Sequence, residues 1–74
     1  MLLHAQGIHL YTTDGNVFID FISGIAVSSL GHCHPRVTKA IKEQVDKHLH
    51  VMVYGEFIQR PQLEFAELLT AQLP

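Results

Sequence analysis

The chain has 74 residues, 47% of them hydrophobic and only 16% charged, with five Lys or Arg against seven Asp or Glu and a formal net charge of −2. With no run of Lys or Arg it is ill suited to nucleic acid or an anionic membrane surface, and no apolar run approaches the length of a membrane span. Globular chains carry about 25% charged residues, and a domain this small buries only about 60% of the surface its unfolded chain exposes, so the low charge implies one small domain, or a piece of a larger one, that other protein covers.

Residues 1–7 have no periodicity and lack the basic-then-apolar pattern of a secretory signal, so they read as a short lead-in. Residues 8–22 predict a β-hairpin. Ile8-His9-Leu10-Tyr11-Thr12 is β-branched and aromatic, Asp14-Gly15 supplies the turn, and Asn16-Val17-Phe18-Ile19-Asp20-Phe21-Ile22 returns as a nearly continuous apolar strand. A lone hairpin is marginal in water and must pack on something. Residues 23–34, with Ser23-Gly24-Ile25-Ala26-Val27 and Gly31-His32-Cys33-His34, are too small-residue-rich for a core strand and too apolar for a solvent loop.

Pro35 suits the first turn of a helix, with His34 near its N-cap. Val37, Ala40, Ile41, Val45, His48, Leu49 and Met52 recur at helical spacing, while Lys39, Lys42, Glu43, Asp46 and Lys47 take the other face, which predicts an amphipathic helix over 35–50. Residues 51–60 break the period and read as a crossing segment. Pro61 opens a second helix over 61–73, striped by Phe65, Leu68, Leu69 and Leu73.

No catalytic constellation emerges from these residues. The single cysteine, Cys33, excludes an internal disulfide and fits a reduced, cytoplasmic setting. His32-Cys33-His34 offers zinc-type ligands, but paired ligands want two or more intervening residues, so a turn followed by a helix start is the better reading. Adjacent side chains on one turn diverge, which argues against Cys33 as a base-activated nucleophile. Asp14 is explained by the turn and Asp20 by a strand end. Lys39, Lys42 and Lys47 sit on a solvated face, whereas a Schiff-base lysine needs a desolvated site. Tyr54 beside Gly55 is a candidate pocket wall.

The order of Gly7-Ile8-His9-Leu10-Tyr11, Asp14-Gly15, Phe18-Ile19-Asp20-Phe21, Ser23-Gly24-Ile25-Ala26-Val27 and Leu30-Gly31-His32-Cys33-His34-Pro35 resembles the N-terminal part of class III pyridoxal-phosphate-dependent aminotransferases. The acetylornithine, ornithine and 4-aminobutyrate subgroup is the nearest likeness. It continues through Ala40-Ile41-Lys42-Glu43-Gln44 and Pro61-Gln62-Leu63-Glu64-Phe65-Ala66-Glu67-Leu68-Leu69. The resemblance implies an α+β fragment, a hairpin followed by two helices, from the small domain of a fold-type-I enzyme whose complete fold is α/β. That enzyme works as a homodimer, moving an amino group between an amine or amino acid and a 2-oxo acid through pyridoxal 5'-phosphate, which supplies the electron sink.

The resemblance also implies that residues 23–27 border the substrate pocket, with Ile25 and Gly24 on one wall and Tyr54 and Gly55 on another. The family's attachment lysine and the rest of its cofactor site have no counterpart here. The chain alone is therefore expected to bind no cofactor and to be inactive without the remainder of the enzyme. Two alternatives stand beside this: a stand-alone interaction module that docks through its apolar faces, and a small metal-binding protein using His32, Cys33 and His34.

Overall fold

A computed structural model describes residues 1–52 and 54–74. Strand β1 (Leu2–Gln6) pairs antiparallel with β2 (His9–Thr12), and β2 pairs antiparallel with β3 (Val17–Ile19). The expected hairpin is therefore β2 and β3 of a three-stranded sheet in the order β1-β2-β3, and its returning strand, expected to run to Ile22, ends at Ile19. The lead-in reading of residues 1–7 is corrected: Leu2–Gln6 of them form an edge strand. The register slips between Leu2 and His4, and this irregularity erases the period-two alternation by which a strand is recognised.

Register places His4, Gln6, His9, Tyr11, Val17 and Ile19 on one face of the sheet, and Ala5, Leu10 and Phe18 on the other. His4 stacks on Tyr11 with ring centroids 4.4 Å apart and 8° between the planes. The β2–β3 turn closes through Thr12 N–H to Asn16 O at 3.0 Å, with Gly15 at φ 85 where a side chain would be strained. Asp14 accepts from the Thr12 hydroxyl and from Asn16 Nδ2, so it serves the turn as the sequence predicts.

Helix α1 (Ser23–Ala26) is a single turn, described with the site below. Helix α2 runs Pro35–Lys47 and α3 runs Arg60–Thr70. His34 caps α2 as expected, its Nδ1 accepting from Arg36 N–H at 3.2 Å, and Pro35 takes the first helical position. The helix expected over 35–50 stops at Lys47, because His48 turns extended at φ −169 while its N–H still reaches Gln44 O. The helix expected over 61–73 instead begins at Arg60 and ends at Thr70. The crossing segment expected over 51–60 includes Val53, which lies outside the described residues; residues 54–59 are irregular.

The elements barely meet. Among the described residues no helix packs against the sheet or another helix, and no hydrophobic side chain is buried. The radius of gyration is 16.7 Å, against about 11 Å for a compact chain of this length. The accessible surface is 6933 Å², and a folded protein of this mass exposes about 4,600 Å². The apolar stripes of α2 (Val37, Ile41, Val45) and α3 (Phe65, Leu68, Leu69) face solvent.

Candidate functional site

The most constrained part of the molecule lies between β3 and α2. Positive φ runs through four successive residues: Ser23 (53), Gly24 (59), Ile25 (63) and Ala26 (63). With ψ of 37 at Gly24 and 60 at Ile25, α1 is one turn of left-handed helix. Its bonds are helical, Val27 N–H to Ser23 O at 2.7 Å and Ala26 N–H to Ile22 O at 3.0 Å. Only glycine enters this region freely. Each L-residue in it costs about 1–2 kcal/mol, and the β-branched Ile25 is an outlier even among these. Such conformations persist only where the surroundings impose them.

Asp20 supplies much of that surrounding. Its backbone N–H is fixed to the sheet through Ile8 O at 2.8 Å. Its Oδ1 accepts from the N–H of Ile22 at 3.1 Å and of Ser23 at 2.9 Å, the two groups that lead into the turn. Its Oδ2 lies 2.5 Å from His32 Nε2, and the two side chains are only 11% and 23% exposed. An ionised carboxylate has no proton to give, so His32 Nε2–H is the donor. The His32 hydrogen bond, then the N–H groups of Ser23 and Ile22, hold the Asp20 carboxyl below its ordinary range.

His32 is anchored in turn. Its N–H donates to Gly7 O at 2.8 Å and its O accepts from Gly7 N–H at 2.9 Å, which joins this loop to the β1–β2 connection. Gly31 makes that approach possible. At φ 84, a Cβ there would sit 3.1 Å from Gly7 O and 3.2 Å from Gly7 Cα. A small concavity opens between Ile8, Asp20, Ser23, Ser28, Ser29 and His32. Beside it, Val27, Leu30, Val37 and Ile41 line an apolar groove along α2.

Gly24 and Ile25 lie on the left-handed turn, with Ile25 86% exposed at its crown. Tyr54 and Gly55 lie in the irregular stretch between α2 and α3, both exposed. The structure thus holds the first pair on a built feature and brings neither pair into a common concavity with the other. The Asp20–His32 pair has no counterpart among the sequence's local signals. The signal available was an Asp at a strand end followed by a Gly-His, but nothing in periodicity links residues twelve apart. His32 also has a different duty from His34, the cap, so the cluster that resembles a metal motif is divided between two structural tasks. Among the described residues no three His, Cys, Asp or Glu side chains converge on one point.

Lys39 is 78% exposed and pairs with Glu43 at 3.8 Å on the outer face of α2, where Lys42 and Lys47 are exposed as well.

Comparison with known proteins bears on the whole chain. The family described as Aminotransferase class-III matches residues 1–74. The chain is 46% identical over 66 residues to the acetylornithine aminotransferase of Bifidobacterium longum, which covers 89% of this chain and 15% of that protein. It is 43% identical over 75 residues to that of Methanopyrus kandleri, covering 99% of this chain and 18% of that protein. With that of Clostridium acetobutylicum it shares 47% over 64 residues, covering 86% and 16%. The chain therefore spans less than a fifth of the length of these curated relatives.

Proposed function

This chain belongs to the class-III aminotransferase family, and from that premise we propose that it is the N-terminal part of a pyridoxal-phosphate-dependent enzyme that moves an amino group from an amine or amino acid to a 2-oxo acid. The match of the family over residues 1–74 carries the reading. The relatives' names make N-acetylornithine the first amino donor to test.

Within that enzyme the segment's task is to shape the pocket rather than to hold the cofactor. Its lysines are solvated, so attachment of pyridoxal phosphate falls to the remainder of the protein. The turn Ser23–Ala26 is one wall of the substrate pocket, with Ile25 as its apolar contact and Gly24 letting the backbone approach. Tyr54 and Gly55 form a second wall once the remainder of the enzyme folds around them. An Ile25 that is 86% exposed on a strained turn supports this, because a costly backbone that displays an apolar group to solvent makes sense only where something else meets it.

The remainder of the chain and a second copy cover the bare apolar stripes, giving a cytoplasmic homodimer. The exposed surface exceeds that of a compact chain by roughly 2,300 Å², the scale of an obligate interface. Residues 1–74 alone are inactive. The test is to assay the full-length protein with pyridoxal phosphate, N-acetylornithine and a panel of 2-oxo acids, beside the isolated segment. Amino transfer by the full-length protein alone is expected. Transfer by the isolated segment, or none by the full-length protein with any amino donor, overturns the reading.

A further inference from the structure

We infer that Asp20 is a positioning residue: its carboxylate, anchored by His32, holds Ser23–Ala26 in the left-handed turn and so fixes where Ile25 stands in the pocket. The inference rests on the proposed reading of Ile25 as a pocket wall.

The turn does not hold itself. Its own hydrogen bonds would be available equally to a right-handed turn, which three of its four residues prefer. Something outside Ser23–Ala26 must select the hand. Asp20 Oδ1 binds the N–H of Ile22 and Ser23 together, which fixes the direction in which the chain enters the turn. Asp20 Oδ2 is held at 2.5 Å by His32. His32 is pinned by its backbone to Gly7, and Asp20 by its backbone to Ile8. The carboxylate is therefore gripped from the sheet on both sides and passes that constraint to the turn. No other side chain hydrogen-bonds the N–H groups of Ile22 and Ser23 among the described residues.

The experiment uses the full-length enzyme with N-acetylornithine, or whichever amino donor the wild-type protein accepts. Asp20→Ala, Ile25→Ala and the double variant are compared by KM and kcat. If Asp20 acts through Ile25, Asp20→Ala raises the donor KM about tenfold with kcat within about twofold, and Ile25→Ala does much the same. The double variant then stays near about tenfold instead of multiplying to about a hundredfold, because contacting or coupled sites are not additive. Asp20→Asn recovers most of the loss, since its amide oxygen still accepts both N–H groups.

An unchanged donor KM in Asp20→Ala, or effects that multiply in the double variant, overturns the positioning role. Should Asp20→Ala not fold, His32→Ala removes the anchor alone; it is expected to raise the donor KM in the same direction, and an unchanged KM counts against the role. Absence of amino transfer by the wild-type enzyme with any donor overturns the aminotransferase reading itself, and the positioning role falls with it.

Discussion

The Asp20 carboxylate and the His32 imidazole meet at 2.5 Å across twelve residues of chain, and the turn between them winds left-handed. That contact makes an acid-side prediction. Asp20 has an ordinary value of 3.8, lowered in the fold first by the His32 hydrogen bond and then by Ser23 and Ile22 N–H. A carboxyl with a folded pKa below its unfolded one adds stability that is present above the unfolded value and is lost as pH falls through the folded value. Urea titrations of wild-type and Asp20→Asn full-length protein at a series of pH values should therefore differ by a constant amount above about pH 5. The difference should shrink on the acid side of 3.8. A difference that instead disappears between neutrality and pH 5 contradicts this.

The Gly7–Gly31 contact predicts two unequal glycine substitutions. A Cβ at Gly31 meets Gly7 backbone at 3.1–3.3 Å and sits at φ 84, so Gly31→Ala carries both strain and collision. Gly15 also has positive φ, but a Cβ there has nothing within 4 Å. Gly31→Ala should cost about 1–3 kcal/mol in the full-length protein and Gly15→Ala distinctly less. Thermal melts of the two variants decide it; equal losses contradict the close approach.

His34 caps α2 through Nδ1, an unusual residue in a common role. His34→Ala should cost about 0.5–2 kcal/mol, and His34→Asp should retain most of the cap and gain from the positive end of the helix dipole. Denaturation midpoints measure both. A His34→Asp variant no better than His34→Ala would mean that the imidazole serves packing instead.

The isolated 74-residue chain should not unfold cooperatively. Among its described residues no hydrophobic side chain is buried, and no helix packs on the sheet. Hydrophobic burial is the dominant favourable term in folding, so nothing sets a sharp transition. Circular dichroism should follow a shallow, broad melt. A sharp, concentration-independent transition would favour the stand-alone interaction module instead.

Local signals in the sequence reach the hairpin, both long helices and the His34-Pro35 helix start, because each is encoded by neighbours: Asp14-Gly15, the spacing of Val37, Ile41 and Val45, and Pro35 itself. Strand β1 is hidden by the slip between Leu2 and His4, which removes the alternation that would reveal it. The end of α2 at Lys47 is hidden because His48, Leu49 and Met52 continue the apolar period past it. The left-handed turn is not legible at all. Ser23, Ile25 and Ala26 all prefer the right-handed hand, and only Gly24 hints otherwise. Its hand depends on Asp20 and His32, a tertiary contact that no local pattern encodes.

The most direct test of Ile25 as a pocket wall is protection of a thiol placed there. In the full-length protein with its other reactive cysteines replaced, Cys33 included, Ile25→Cys is alkylated by a maleimide with and without saturating amino donor. Alkylation should slow at least about tenfold when donor is bound, because a group buried against the ligand loses access to reagent. An alkylation rate that is the same with and without donor would contradict the placement of Ser23–Ala26 at the substrate.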